Sequence, residues 1–241
     1  MDRYISYITR YPKTLASALL IGYPIANVVY LHWSLSRTIS HGKETKRLTS
    51  TLTKTISSIP DEAFSSDHVM VHDWAQRSIP ASEVPDLNLD ELIVLYLKHT
   101  MSKFSRLPQA YLLKTIADPE DRKTFEVDYI TTLEFKEGDL VHGFYRVIAR
   151  SEGKVEFALK PLGVVKGSRL VIAIERRADE FVCSSETVMW KDAGEKGLMP
   201  LERRLAKWMH EIASWGLLRS GTKYLMSLKE GTEVRCCSHW G

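Results

Sequence analysis

Three residue types suited to acid–base chemistry crowd into the stretch GDLVHGFYRVIARSEGKVEFALK at 138–160: His142, Tyr145 and Arg146. An imidazole exchanges its proton near neutrality, a phenol donates or accepts, and a guanidinium holds an anion. Spacing decides whether the three can act together. The stretch reads as two strands and a turn, and side chains on a strand alternate between its faces. Leu140, His142, Phe144, Arg146 and Ile148 would then share one face, and Val141, Gly143, Tyr145, Val147 and Ala149 the other. His142 and Arg146 fall on one side and Tyr145 does not join them, so the pattern reads as the wall of a sheet rather than a triad.

Other residues invite the same weighing. Glu175 and Glu186 sit on neighbouring strands; a buried pair of carboxylates would have raised proton affinity and could divide acid and base roles. Against that stands pairing with Arg176, Arg177 or Lys191 on an outer face. His210 lies beside an apolar helical stripe and is the expected polar residue of a pocket, while His72, Asp73 and Trp74 read as a satisfied strand end. There is no GxSxG, no Gly-rich phosphate loop, no HExxH and no zinc-ligand spacing, so no cofactor and no metal are expected. The three cysteines, Cys183, Cys236 and Cys237, form no CxxC and no disulfide framework, and CCSHWG is no prenylation box.

Such residues need elements to position them. The chain has 241 residues, 44% hydrophobic and 26% charged, which suits one sizeable globular domain with extras. A net charge of +3, with bases interleaved among acids as in DPEDRK, leaves no stripe dense enough for phosphates, so no nucleic-acid partner is expected. From Thr14 to Ser36 there is no Asp, Glu, Lys or Arg. About 20 such residues span a hydrocarbon layer of ~30 Å. Arg3, Arg10 and Lys13 precede the segment, Arg37, Lys43, Lys46 and Arg47 follow it, and Tyr11, Tyr30 and Trp33 sit at belt positions. Gly22, Pro24, Asn27 and His32 weaken the signal, and a signal peptide or an interfacial helix are the rival readings. The expectation is a single-pass membrane anchor within 1–36, with the domain on the cytosolic side. Residues 37–66, rich in Ser, Thr and Lys, read as a flexible tether, 67–230 as the folded domain and 231–241 as a mobile tail.

Within the domain, HVMVHDW reads as a strand, and Asn88 with Glu91 three residues on as a capping-box helix start. A second helix follows Pro108, and 119–135 is ambiguous, with helix favoured in its first half. From Gly138 the pattern turns to period two: Lys154, Glu156 and Ala158 oppose Val155, Phe157 and Leu159. SRLVIAIER and EFVCSSETVMW continue it around a turn at Ala178-Asp179. After Pro200 a long helix carries Leu201, Leu205, Trp208, Ile212 and Trp215 as one apolar stripe, with Glu202, Arg203, Arg204, Lys207 and Glu211 facing away.

The order is strand, two helices, antiparallel meander and long terminal helix: an α+β, helix-grip arrangement with a curved antiparallel sheet. That order, with GDLVHGFYRVIARSEGKVEFAL and RLVIAIERR, resembles the START-like (Bet v 1-like, SRPBCC) helix-grip superfamily over roughly 66–229, and is similar to its uncharacterised fungal and bacterial members. The resemblance implies binding of lipids, sterols, polyketides or other apolar molecules, with some members cyclases or hydrolases. It implies a ligand class, not a reaction. A pocket is expected between the terminal helix and the sheet, lined by Trp208, Ile212 and Trp215 against Phe144, Phe157 and Ile172, with His210, Tyr145 or Glu186 as polar contacts. Three readings follow: a membrane-tethered binding or transfer module for an apolar small molecule such as a lipid, terpenoid or polyketide; an isomerase- or cyclase-type enzyme of specialised metabolism using the same pocket; or an interaction protein with a filled core. A hollow lined only by apolar groups would favour the first, a buried ionisable group in it the second, and no hollow the third.

Overall fold

The computed structural model describes residues 12–46, 56–64 and 67–237. Seven strands make one sheet: β1 (Ser40–Lys46), β2 (His68–Pro80), β3 (Leu140–Val141), β4 (Tyr145–Ser151), β5 (Lys154–Leu159), β6 (Gly167–Arg177) and β7 (Glu180–Asp192). Their spatial order is β1-β2-β7-β6-β5-β4-β3, and every neighbouring pair is antiparallel. The meander from β3 to β7 follows the period-two pattern of the sequence. β2 and β7, 13 residues each, pair along their whole length from His68↔Asp192 to Pro80↔Glu180.

Among the described residues there are five α-helices: α1 (Pro12–Ser36), α2 (Leu89–Phe104), α3 (Pro108–Ile116), α4 (Val127–Thr132) and α5 (Arg204–Cys237). The expected capping box starts α2: Asn88 Oδ1 accepts from the Glu91 amide at 2.8 Å, and Glu91 Oε2 accepts from the Asn88 amide at 3.2 Å. The 119–135 region is a 3₁₀ turn, Pro119–Phe125, followed by α4. Helix α5 lies across the sheet against α2, β2 and β7, in the expected helix-grip arrangement. The main core fills the space between them, with Leu92, Ile93, Tyr96 and Leu97 of α2, Val155, Phe157, Ile172, Ile174 and Cys183 of the strands, and Trp215, Leu218 and Leu225 of α5.

The opposite face of the sheet has its own core, because alternate strand residues there are also apolar. Met70, Val171, Val188 and Trp190 are covered by Ile56, Ile59 and Ala63. Glu156 fastens that cover. Its side chain is fully buried, and its carboxylate accepts from the Ser57 amide at 3.0 Å, the Ser57 hydroxyl at 2.9 Å, the Ser58 amide at 2.9 Å and Lys154 Nζ at 2.8 Å. Burial alone would raise its proton affinity; these donors outweigh burial and hold the pKa at about 2.

Two expectations are corrected at the amino-terminal side. No helix among the described residues is long and apolar enough to cross a membrane, which overturns the single-pass anchor and the cytosolic placement that depended on it. Within α1, Gly22, Pro24, Asn27 and His32 dilute the apolar run. Its C-terminal end and the turn after it are also built into the domain: Leu35 and Ile39 are buried in the main core, and His32 Nε2 lies 3.1 Å from Glu211 Oε2. The tether expected over 37–66 is likewise part of the fold where it is described. Residues 40–46 form an edge strand on β2, and 56–64 cover the second core. Its polar composition misleads because β1 takes its partners from the β2 backbone and Glu156 supplies the acceptors for Ser57 and Ser58. Of the tail expected at 231–241, residues up to Cys237 continue α5, and 238–241 lie outside the described residues.

Candidate functional site

A helix laid over a pleated sheet presents residues three, four and seven apart to it. On α5 these are His210, Ala213, Ser214, Leu217 and Leu218, and they roof a cavity of about 150 Å³. Ser185, Thr187 and Met189 of β7, alternating along one face, form its floor with Leu170 and Ile172 of β6. Leu159 of β5, Tyr145 of β4, and Tyr96, Thr100, Met101 and Phe104 of α2 close the sides. The lining is therefore mainly apolar, with hydroxyls and an imidazole gathered along β7 and α5. A dry apolar cavity of ~150 Å³ accommodates a benzene-sized molecule.

The polar end has a defined geometry. Thr187 is the register partner of Asp73 on β2, which is 6% exposed. Asp73 Oδ2 lies 3.1 Å from Nε2 of His210. On the other side of Asp73, its register partner on β1 is Lys43, whose Nζ donates to the Leu201 carbonyl at 2.5 Å. Burial, then Lys207, push the Lys43 ammonium below its ordinary value, and Asp73 opposes them. Two phenols border the cavity as protonated donors: burial pushes Tyr145 up to about 12 and Tyr96 well above its ordinary value.

Of the residues expected to form a pocket, the structure brings together His210, Tyr145 and Ile172. Phe157 is fully buried one layer away, edge-on to Phe135 at 6.5 Å between ring centroids. Phe144 packs in a separate cluster with Ala117 and Phe125. Trp215 is buried but turned towards the amino-terminal elements, stacked on His41 at 4.2 Å and His32 at 5.1 Å. Trp208 lies 6.1 Å from His32, Ile212 is half-buried outside the lining, and Leu205 is exposed. The tryptophans of the expected stripe thus serve α1 and β1, Leu201 packs with Val71, Val165 and Met199, and the cavity faces the flank beside them. Glu186 sits on the far face of the sheet, 3.1 Å from His72 Nε2, and Glu175 pairs with Arg177 at 2.7 Å. Neither carboxylate reaches the cavity.

His142 also departs from the strand reading. With φ of 52° at His142 and 63° at Gly143, and the Phe144 amide donating to the Val141 carbonyl at 3.3 Å, residues 141–144 form a turn with two left-handed centres. Strand alternation does not apply in such a turn, and the imidazole comes within 6.0 Å of the Tyr145 ring. It is nonetheless a packing residue. It is fully buried behind the cavity wall, its Nε2 lies 2.9 Å from Ser105 Oγ, and burial drives its pKa down to about 3. Arg146 is exposed and donates to the Gly138 carbonyl at 3.1 Å. His72 and Asp73 lie within β2 rather than at a strand end and point to opposite faces, one to Glu186 and the other to His210.

The other lining residues were not suggested by the sequence, among them the small and hydroxylated Ser185, Thr187, Ala213 and Ser214. Their signal was present as alternation on β7 and as helical spacing with His210 on α5, but serine and threonine on a strand read equally as a wet face.

No family model matches the chain, and no curated protein does. Among solved structures, CalU16 from Micromonospora echinospora is similar over 77% of this chain and 92% of its own, with 8% identity and a TM-score of 0.30. So low a score adds nothing to the strand order and the cavity, on which the reading of fold and site rests.

Proposed function

We propose that this chain is a binding module that holds a single-ring, largely apolar molecule between α2, α5 and the sheet. The observation that carries the reading is the cavity of about 150 Å³, lined by apolar Met101, Phe104, Leu159 and Leu170 and hydroxylated along Ser185 and Thr187. Transfer of an apolar ring from water contributes roughly 25 cal/mol per Å² before the entropic cost of association, so affinities of about 0.1–1 mM are expected for an unadorned ring. A lipid, terpenoid or polyketide would leave most of its length outside a cavity of this volume, and a wholly filled core is disfavoured by the cavity itself. The test is fluorobenzene observed by ¹⁹F NMR. Saturable broadening is expected with the natural protein, and Ala213→Phe, whose ring would occupy the cavity, is expected to abolish it while the circular dichroism spectrum stays unchanged. Equal broadening in a folded Ala213→Phe protein would overturn the reading. A second reading, an enzyme of the isomerase or cyclase type, is favoured by one observation, the His210–Asp73 pair at the polar end.

A further inference from the structure

Resting on the pocket reading, we infer that the cavity takes a monocyclic phenol, or a similar ring bearing one weakly acidic O–H, and that His210 accepts its proton while Asp73 holds the imidazole. Asp73 is buried and His210 half-buried, and the 3.1 Å contact joins Oδ2 to Nε2. A carboxylate only accepts, so Nε2 carries the hydrogen, and the lone pair resides on Nδ1 of a ring that lines the cavity. That arrangement is the orienting half of an acid–base pair: the carboxylate fixes the tautomer and stabilises the imidazolium once it forms. The proton leaves the ligand oxygen and joins Nδ1, the O–H bond pair stays on oxygen, and a phenolate–imidazolium pair results, with no other reactant required. The remaining lining fits the partner. Thr187, the register neighbour of Asp73, and Ser185 offer hydroxyls to the developing anion, and Tyr145, kept protonated by burial, is a third donor on the wall. Met101, Phe104, Leu159 and Leu170 offer carbon and sulfur to the ring. The charged neighbours are Lys43 beside Asp73 on β1, and around that lysine Lys207, Glu202 and Glu211. Lys43 is already engaged with the Leu201 carbonyl, and the His210 ring is the group that Asp73 presents to the cavity.

The probe is p-nitrophenol, whose phenolate is yellow and whose phenol is not, with binding measured separately by equilibrium dialysis. At pH 6 the bound dye is expected to show a phenolate-to-phenol ratio about tenfold above that of free dye, the effect of one nearby positive charge. His210→Gln is expected to bind the dye and lose the excess, and Asp73→Asn to reduce it severalfold. Bound dye that ionises as in free solution, or equally well in His210→Gln, would overturn the assignment of His210 and leave the pocket standing. Absence of saturable binding to the natural protein would overturn both.

Discussion

His142 is fully buried behind the cavity wall, and its environment makes a sharp pH prediction. Its folded pKa, lowered by burial to about 3, lies below the ordinary imidazole value, so the folded state binds its proton less readily than the unfolded chain. The stability this neutral imidazole contributes is complete above pH ~6.5 and is lost as pH falls from there towards 3, amounting to about 2 kcal/mol by pH 5. His142→Asn removes the titration and keeps a residue that tolerates φ of 52°. It is expected to lower stability at pH 7, through loss of the ring packed against Phe104 and Phe125, and to flatten the slope of urea midpoint against pH between 6.5 and 5. A slope unchanged from the natural protein would show that His142 is not the titrating group.

At the scale of elements, the meander and the start of α2 were legible because their signals are local: alternation of Val155, Phe157 and Leu159, and the Asn88–Glu91 box. The α1 end, β1 and the 56–64 cover were not, because each is specified by distant partners. SHGKETK has no alternation of its own, and its His41 gains meaning only against Trp215. The site suffered the same way. His210 is visible in the sequence as a polar residue beside an apolar stripe, but the periodicity of that stripe points to the sheet, while the partners of its Trp215, His32 and His41, lie in segments whose composition resembles an anchor and a tether. Glu156 read as an outward residue of an amphipathic strand because nothing near it in sequence reveals Ser57 and Ser58. Glu156→Gln replaces one acceptor oxygen by a donor facing an amide, and is expected to cost about 2–4 kcal/mol. Hydrogen exchange should show loss of protection at 56–59 first; protection retained there, with unchanged melting, would remove Glu156 from its role as fastener. The linkage runs opposite to a raised pKa: with a folded value of about 2, this carboxylate's contribution is complete above its ordinary pKa and is lost as pH falls from ~4.5 to 2.

For the molecule as a whole, the amino-terminal elements are part of the domain. Deleting residues 1–39 removes Leu35 and Ile39 from the main core, at about 1.5–3 kcal/mol for each buried aliphatic side chain, and strips His32 from Trp215 of α5 while leaving His41. The truncated chain is expected to melt at lower temperature with red-shifted tryptophan emission, and equal melting would assign the core to 40–237 alone. The pairing of β2 with β7 carries a consequence for how the chain is made. Pro80 and Glu180 face each other across about a hundred residues of sequence. At a synthesis rate of ~5–20 residues per second, β2 leaves the ribosome ~5–20 s before its partner exists. Met70, Val71, Ala75 and Ile79 travel exposed for that interval, while α2, with its local cap, can already wind. The vulnerable species is therefore a nascent chain with an unpaired strand, and a holding chaperone, rather than greater stability of the finished sheet, is what would govern the yield of folded protein.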